Sequence, residues 1–135
     1  MKDRCTAIVL AAGQGRRMKS NVKKQFLSIA GKPIVYYALQ CFEKTSFITD
    51  VILVTSEDCV DYCRKKIVEK YGFRKVEKIV VGGKERYDSV YAGLLACGKT
   101  DYVYIHDGIR PFITRDILKR ALDGARETGA CVVGM

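Results

Sequence analysis

Short apolar runs separated by amphipathic stretches give the first outline of the chain. Four runs rich in β-branched residues stand out: Thr6 to Ala12, Val51 to Thr55, Lys78 to Val81 and Tyr102 to His106. A fifth, Ala130 to Gly134, has the same character. Their apolar residues are consecutive rather than alternating, which is the pattern of strands covered on both faces of a parallel sheet.

Between these runs the apolar positions recur at helical spacing. Pro33 suits a first helical position, with Ile34, Ala38 and Cys41 on one face and Val35, Leu39 and Phe42 beside it. Ser56 is placed to cap the next helix, with Glu57 and Asp58 in its electropositive first turn. Val60, Cys63, Ile67 and Tyr71 form its buried stripe, and Gly72 ends it. A third helix is expected from about Arg86 to Cys97, closed by Gly98. A fourth starts after Thr114 and buries Ile117, Ala121 and Ala125. Strands alternating with helices predict an α/β fold with a parallel sheet and right-handed crossovers. Open sheets of this kind bind ligands beyond the carboxyl ends of their strands. Those ends read Ala12-Gly13, Thr55-Ser56, Gly82-Gly83 and His106-Asp107, so small, glycine-rich or acidic residues gather on one edge.

Composition narrows the function classes. A chain of 135 residues is the length of one domain, and it buries about two-thirds of its unfolded surface without needing a disulfide or a structural metal. No apolar run is long enough for a bilayer. Met1 to Cys5 is charged and leads straight into a strand, without the apolar stretch and cleavage site of a signal peptide, so a cytoplasmic location is expected. The six cysteines contain no CxxC pair and read as reduced and buried. Cys59 and Cys63 lie one helical turn apart, but the single histidine, His106, is distant in the chain, so zinc is not expected. With 24 basic against 15 acidic residues, the net charge of +9 suits a polyanion: a nucleotide, a sugar phosphate or nucleic acid. The nucleic-acid reading rests on charge alone, because no helix-turn-helix, zinc-finger or aromatic RNP pattern is present. Neither a nucleic acid nor a membrane is expected as a partner.

Three segments at the strand ends carry candidate chemistry. Leu10-Ala11-Ala12-Gly13-Gln14-Gly15-Arg16-Arg17-Met18 is neither GxGxxG nor a Walker A loop, but a glycine turn after a first strand can line an anion site with N–H groups. Arg16, Arg17, Lys19, Lys23 and Lys24 follow with no acid among them. That basic run is either a solvated loop or, at the ligand edge, a phosphate site. In Gly82-Gly83-Lys84-Glu85-Arg86-Tyr87-Asp88-Ser89, the glycines permit close backbone approach to a flat ligand, while Asp88 and Ser89 could equally be helix caps. In His106-Asp107-Gly108-Ile109-Arg110-Pro111, an aspartate at the tip of a buried strand suits a hard cation shared with a triphosphate. Arg110 could pair with Asp107 or face a substrate phosphate, and His106 reads as structural.

Taken in order, LAAGxGxRM, KQFL, GGxxRxDSV and HDxxRPF resemble the 2-C-methyl-D-erythritol 4-phosphate cytidylyltransferase family over essentially the whole chain. The resemblance implies a Rossmann-like, parallel-sheet nucleotidyltransferase fold of the nucleotide-diphospho-sugar transferase type, here in its N-terminal, truncated portion. It implies transfer of CMP from CTP to 2-C-methyl-D-erythritol 4-phosphate with loss of pyrophosphate, in non-mevalonate isoprenoid synthesis, with Mg²⁺ as cofactor. It also implies site roles. Ala11, Ala12, Gly13 and Gly15 would line the nucleotide, and Arg17 and Lys24 would stabilise the transition state at the α-phosphate. Gly83 and Ser89 would surround the cytosine, Asp107 would bind the metal, and Arg110 would lie on the acceptor side. Lys23 stands where the family often has proline, and Gly108-Ile109 stands where Ala-Ala is usual. The family continues past the position of Met135 through a dimerising arm, so a homodimeric full-length parent and a monomeric fragment are expected. The alternatives are a ribitol- or other polyol-phosphate cytidylyltransferase, against which Ala11-Ala12-Gly13 speaks, and a noncatalytic CTP-binding fragment.

Overall fold

A computed structural model of the chain describes residues 3–11, 28–110 and 112–129, with Ser28 and Ile29 described by backbone only. The main sheet has four parallel strands: β1 (Cys5–Leu10), β4 (Asp50–Thr55), β5 (Val76–Val81) and β6 (Tyr102–Asp107), in the order β5-β4-β1-β6. A small antiparallel pair, β2 (Ser28–Ile29) and β3 (Lys32–Pro33), precedes the first helix. The helices are α1 (Ile34–Lys44), α2 (Val60–Cys63), α3 (Arg86–Ala96) and α4 (Arg115–Thr128). The parallel α/β class expected from the alternating pattern is therefore observed. The expected strand Ala130 to Gly134 lies outside the described residues.

Strand periodicity divides the core between the two faces of the sheet. Cys5, Ala7, Val9, Val51 and Leu53 join Val35, Ala38, Leu39 and Phe42 of α1, Cys63 of α2 and Leu118 and Leu122 of α4 in one buried cluster. Ile8, Leu10, Ile52 and Val54 point the other way, toward Val90 and Ala96 of α3. α3 sits close to the sheet because Gly93 has no Cβ; one built there would lie 2.6 Å from Ile8 Cγ2.

Several local expectations are corrected. Only β1 and β4, the two inner strands, are buried at every position. β6 alternates, with Val103 37% and Ile105 43% exposed, because the helix on that face lies over β1, β4 and β5 and does not cover it. Pro33 ends β3 and occupies the position before α1 rather than its first turn, and Ile34 and Cys41 are only half-buried. Ser56 precedes its helix without a side-chain cap bond. That helix is uneven, passing from a 3₁₀ turn (Glu57–Cys59) through α2 into a π-helical stretch (Arg64–Glu69). Each change of winding rotates the apolar stripe, so Cys63 and Ile67 are buried while Val60 and Tyr71 are half-buried. Gly72, at φ +67, ends it as expected. α4 starts after Thr114, whose hydroxyl caps it by accepting from the Ile117 N–H, but its core residues are Leu118 and Leu122. Ile117, Ala121 and Ala125 are half-buried and line a groove of about 520 Å³ beside β6. No disulfide joins the described cysteines Cys5, Cys41, Cys59, Cys63 and Cys97. Burial pushes the Cys63 thiol up to about 11, against an opposing hydrogen bond with Thr55.

Candidate functional site

The chain leaves β1 toward β4 on one side and later returns to β6 on the other, so the crossovers reverse direction between β1 and β6. Sheets of this kind open a crevice at such a reversal, beyond the carboxyl ends of the strands. Register sets its lips: Leu10 of β1 pairs with Asp107 of β6. The ladders run one residue further, with Ala11 N–H donating to Val54 O at 2.7 Å, Gly82 N–H to Thr55 O at 2.8 Å and Gly108 N–H to Leu10 O at 2.8 Å. The ends of all four strands are thus held level, with Leu10 beside Asp107 and Ala11 beginning the exit from β1.

Ala11 is fully buried, and its N–H is committed to the sheet rather than offered to a ligand. Ala12, Gly13, Gly15, Arg17 and Lys24 lie outside the described residues. Gly108 is packed under the crevice: a Cβ there would stand 3.0 Å from Val35 Cγ2 and 3.1 Å from Leu10 O. Alanine at that position is therefore tight, which gives the Gly108 departure a local packing reason.

The α3 lip is built by a capping box. The Glu85 side chain accepts from the backbone of Asp88, and Asp88 returns the bond to Glu85 N–H. Asp88 thus takes the structural one of its two expected roles. Gly83 serves the same box, since a Cβ there would sit 2.2 Å from Asp88 Cβ. Ser89 is not the cap. It is 1% exposed, and its hydroxyl has no hydrogen-bond partner among the described residues. A buried hydroxyl without a partner is uncommon and costly. Thr55 Oγ1, at the end of β4, also has no oxygen or nitrogen partner among the described residues, with the weakly bonding Cys63 thiol beside it.

On β6, Asp107 faces two guanidinium groups. Arg86 Nε lies 3.3 Å from Oδ1, and Arg110 Nε lies 3.7 Å from Oδ2. Arg110 therefore makes the ion pair weighed for it. Arg86, the first residue of α3 and the arginine of GGxxRxDSV, carried no expected role. Its place three residues before Ser89, in the first turn of a helix that points its amino end at the crevice, is the signal that could have found it. His106 has the structural role expected of it. Its Nε2 lies 2.9 Å from the Arg110 carbonyl and so carries the proton, and its ring meets Phe42 edge-on at 5.9 Å between centroids. Burial lowers its pKa below the ordinary value, opposed by the Arg110 carbonyl and by Asp107. Together with the Arg110 N–H bond to Asp107 O, this contact fixes the turn that carries both charged residues.

Among the described residues no cluster of three or more His, Cys, Asp or Glu could hold a metal by itself. No helix among them is long and apolar enough to cross a membrane. The groove between β6 and α4 is apolar and does not include Asp107, so its chemistry is not that of the crevice.

Comparisons of the sequence with known proteins point to one family. The family model for 2-C-methyl-D-erythritol 4-phosphate cytidylyltransferase, IspD, matches residues 5–135. The chain is 47% identical over 133 residues to the enzyme of that name from Lachnoclostridium phytofermentans, covering 98% of this chain and 57% of the relative. It is 45% identical over 129 residues to the enzyme of that name from Clostridium kluyveri, covering 96% and 56%. Among solved structures, 4-diphosphocytidyl-2C-methyl-D-erythritol synthase from Anaerococcus prevotii superposes with a TM-score of 0.76 at 26% identity, covering 93% of this chain and 52% of that one. The chain thus spans a little over half the length of the curated relatives it matches. Fold, motif order and similarity over nearly its whole length place the chain in the 2-C-methyl-D-erythritol 4-phosphate cytidylyltransferase family.

Proposed function

We propose that the chain is the CTP-binding portion of a cytidylyltransferase that transfers CMP to 2-C-methyl-D-erythritol 4-phosphate and releases pyrophosphate. The observation that carries this reading is the register of Leu10 with Asp107, which sets the glycine-turn exit of β1 beside an acidic strand tip at the topological reversal. Residues 1–135 act as one nucleotide-binding α/β domain, cytoplasmic, monomeric alone and homodimeric in the full-length protein.

The site residues divide the work by chemistry. The attacking phosphate oxygen is already anionic, so no general base is required. The reaction needs neutralisation of charge as the α-phosphorus becomes five-coordinate and pyrophosphate leaves. Arg17 and Lys24 supply fixed positive charge toward the α-phosphate and the leaving group. Ala12, Gly13 and Gly15 present backbone groups to the nucleotide, Ser89 offers its unmatched hydroxyl beside the base, and Gly83 lets the base approach. Arg110, its Nε beside Asp107, turns the rest of its guanidinium fork toward the acceptor's phosphate. A Mg²⁺ ion fits the donor chemistry of Asp107, a single hard carboxylate 33% exposed at the strand tip, because Mg²⁺ commonly takes one or two carboxylates and completes its shell with substrate phosphates and water. When bound, it supplies charge stabilisation on the phosphates.

Thermal denaturation of the 135-residue chain with CTP, ATP or GTP and Mg²⁺ tests the reading. CTP should raise Tm most, by the linkage between ligand affinity and stability. Equal shifts for the three nucleotides, or none, would remove the cytosine pocket. Pyrophosphate release by this chain alone should be slow or absent, and full activity with a stable dimer would show that the acceptor site is complete within it.

A further inference from the structure

Asp107 is not an open ligand: each of its carboxylate oxygens faces a guanidinium. The two arginines differ in how they are held. Arg110 is three residues away on the same turn, with its carbonyl against His106 and its N–H on Asp107 O. Arg86 comes from the opposite lip, 21 residues earlier in the chain, on a side chain 62% exposed. Both contacts are longer than a good charge-assisted bond, Arg110's at 3.7 Å more so, and exposed pairs of this kind are weak, but only Arg86 is untethered from the turn that carries Asp107. It is therefore the partner that can leave.

We propose that Arg86 is a positioning residue that occupies Asp107 in the empty crevice and exchanges it for phosphate when a metal–triphosphate enters. The inference rests on the nucleotide-binding reading of the crevice but not on the identity of the base. A guanidinium and a divalent cation compete for the same carboxylate oxygens. The planar donor fork of Arg86 matches phosphate oxygens as well as it matches a carboxylate. Its position at the first residue of α3 adds the positive end of the helix on the same side. A bare cation must displace Arg86 without compensation, whereas a cation arriving with phosphates brings the arginine a new partner. The site thus disfavours the free ion and accepts the complex.

The test is isothermal titration of the 135-residue chain with Mn²⁺ alone and with preformed Mn²⁺–tripolyphosphate. It compares wild type, Arg86→Met and Lys84→Met, the last removing the same charge two residues earlier, before the helix begins. Arg86→Met should bind Mn²⁺ alone about two- to fivefold tighter than wild type, the range of an exposed ion pair. It should bind Mn²⁺–tripolyphosphate more weakly. This reversal of sign separates exchange from a merely structural link between α3 and β6, whose loss would weaken both. Adding Asp107→Asn to Arg86→Met should abolish the gain in Mn²⁺ affinity. The proposal is overturned if Arg86→Met binds Mn²⁺ no tighter than wild type or than Lys84→Met, or if the gain survives loss of Asp107. Failure of the chain to prefer CTP would overturn the cytidylyl reading and leave these outcomes unchanged.

Discussion

The two ends of the sheet are built from similar residues and finished differently. At the amino ends of the strands, Asp50 is 5% exposed and fully matched: Arg4 donates to one oxygen at 2.7 Å and the Thr6 hydroxyl to the other at 2.7 Å. Around it, Arg4 N–H donates to Asp101 at 2.7 Å, the Thr100 hydroxyl reaches the Arg4 carbonyl at 2.9 Å, and Arg126 pairs with Asp3 at 2.8 Å. At the carboxyl ends, the ion pairs of Asp107 are long, and Ser89 keeps a buried hydroxyl without a partner among the described residues. One end closes its polar groups on each other and ties β1, β4 and β6 together. The other leaves them for something else. A fold that binds ligands at one edge of its sheet gains stability where the ligand does not go.

Breaking the carboxyl end should cost function and little stability. The largest effect is expected from Lys24→Ala, whose proposed role is fixed charge at the α-phosphate. Loss of such a donor costs about 3–4 kcal/mol, roughly a hundred- to thousandfold in kcat, measured as pyrophosphate release by the full-length protein. Lys23→Ala removes the neighbouring charge and should change the rate by less than about threefold, as for a solvated loop lysine. Equal, modest losses in both would make the loop a diffuse basic patch.

Breaking the amino end should do the reverse. Asp50→Ala leaves the buried Thr6 hydroxyl without its carboxylate, at about 1–3 kcal/mol, toward the lower value if Thr6 turns to Thr100 Oγ1, which lies 2.9 Å away. Urea denaturation should show the loss, while nucleotide affinity of the folded fraction stays unchanged. A variant that kept its stability and lost nucleotide binding would invert the comparison.

The fold was readable in the chain because two inner strands, β1 and β4, are buried at every position and so appear as unbroken apolar runs. Edge position blurred the rest: β6 alternates because no described helix packs squarely over one of its faces, and α4 turned one residue from its expected face to bury Leu118 and Leu122. Changes of helical winding between Glu57 and Glu69 have no counterpart in a regular apolar period. At the site, the acidic strand tip and the Asp107–Arg110 pair were legible from local spacing. Arg86 was not, because its contact depends on the crossing of α3 over the sheet. Nor was the packing role of Gly83, whose missing Cβ makes room for Asp88.

The smallest effect concerns His106, where burial disfavours the protonated ring. Its folded pKa lies below the ordinary 6.5, so the unfolded chain binds the additional proton. Stability from this residue is fully present above about pH 6.5, falls as the pH drops through the interval down to the folded value, and then levels. His106→Gln, which keeps a donor for the Arg110 carbonyl, should remove that component from a comparison of Tm against pH. An unchanged profile would mean that another group carries it.

The contrast between the ends is tested most directly by amide chemical-shift mapping of the chain titrated with CTP and Mg²⁺. The account predicts the largest shifts at Ala11, Gly83, Ser89, Asp107 and Arg110, with Asp50, Thr100 and Asp101 unmoved. Shifts concentrated around Asp50 and Thr100, or spread evenly over both ends, would contradict it.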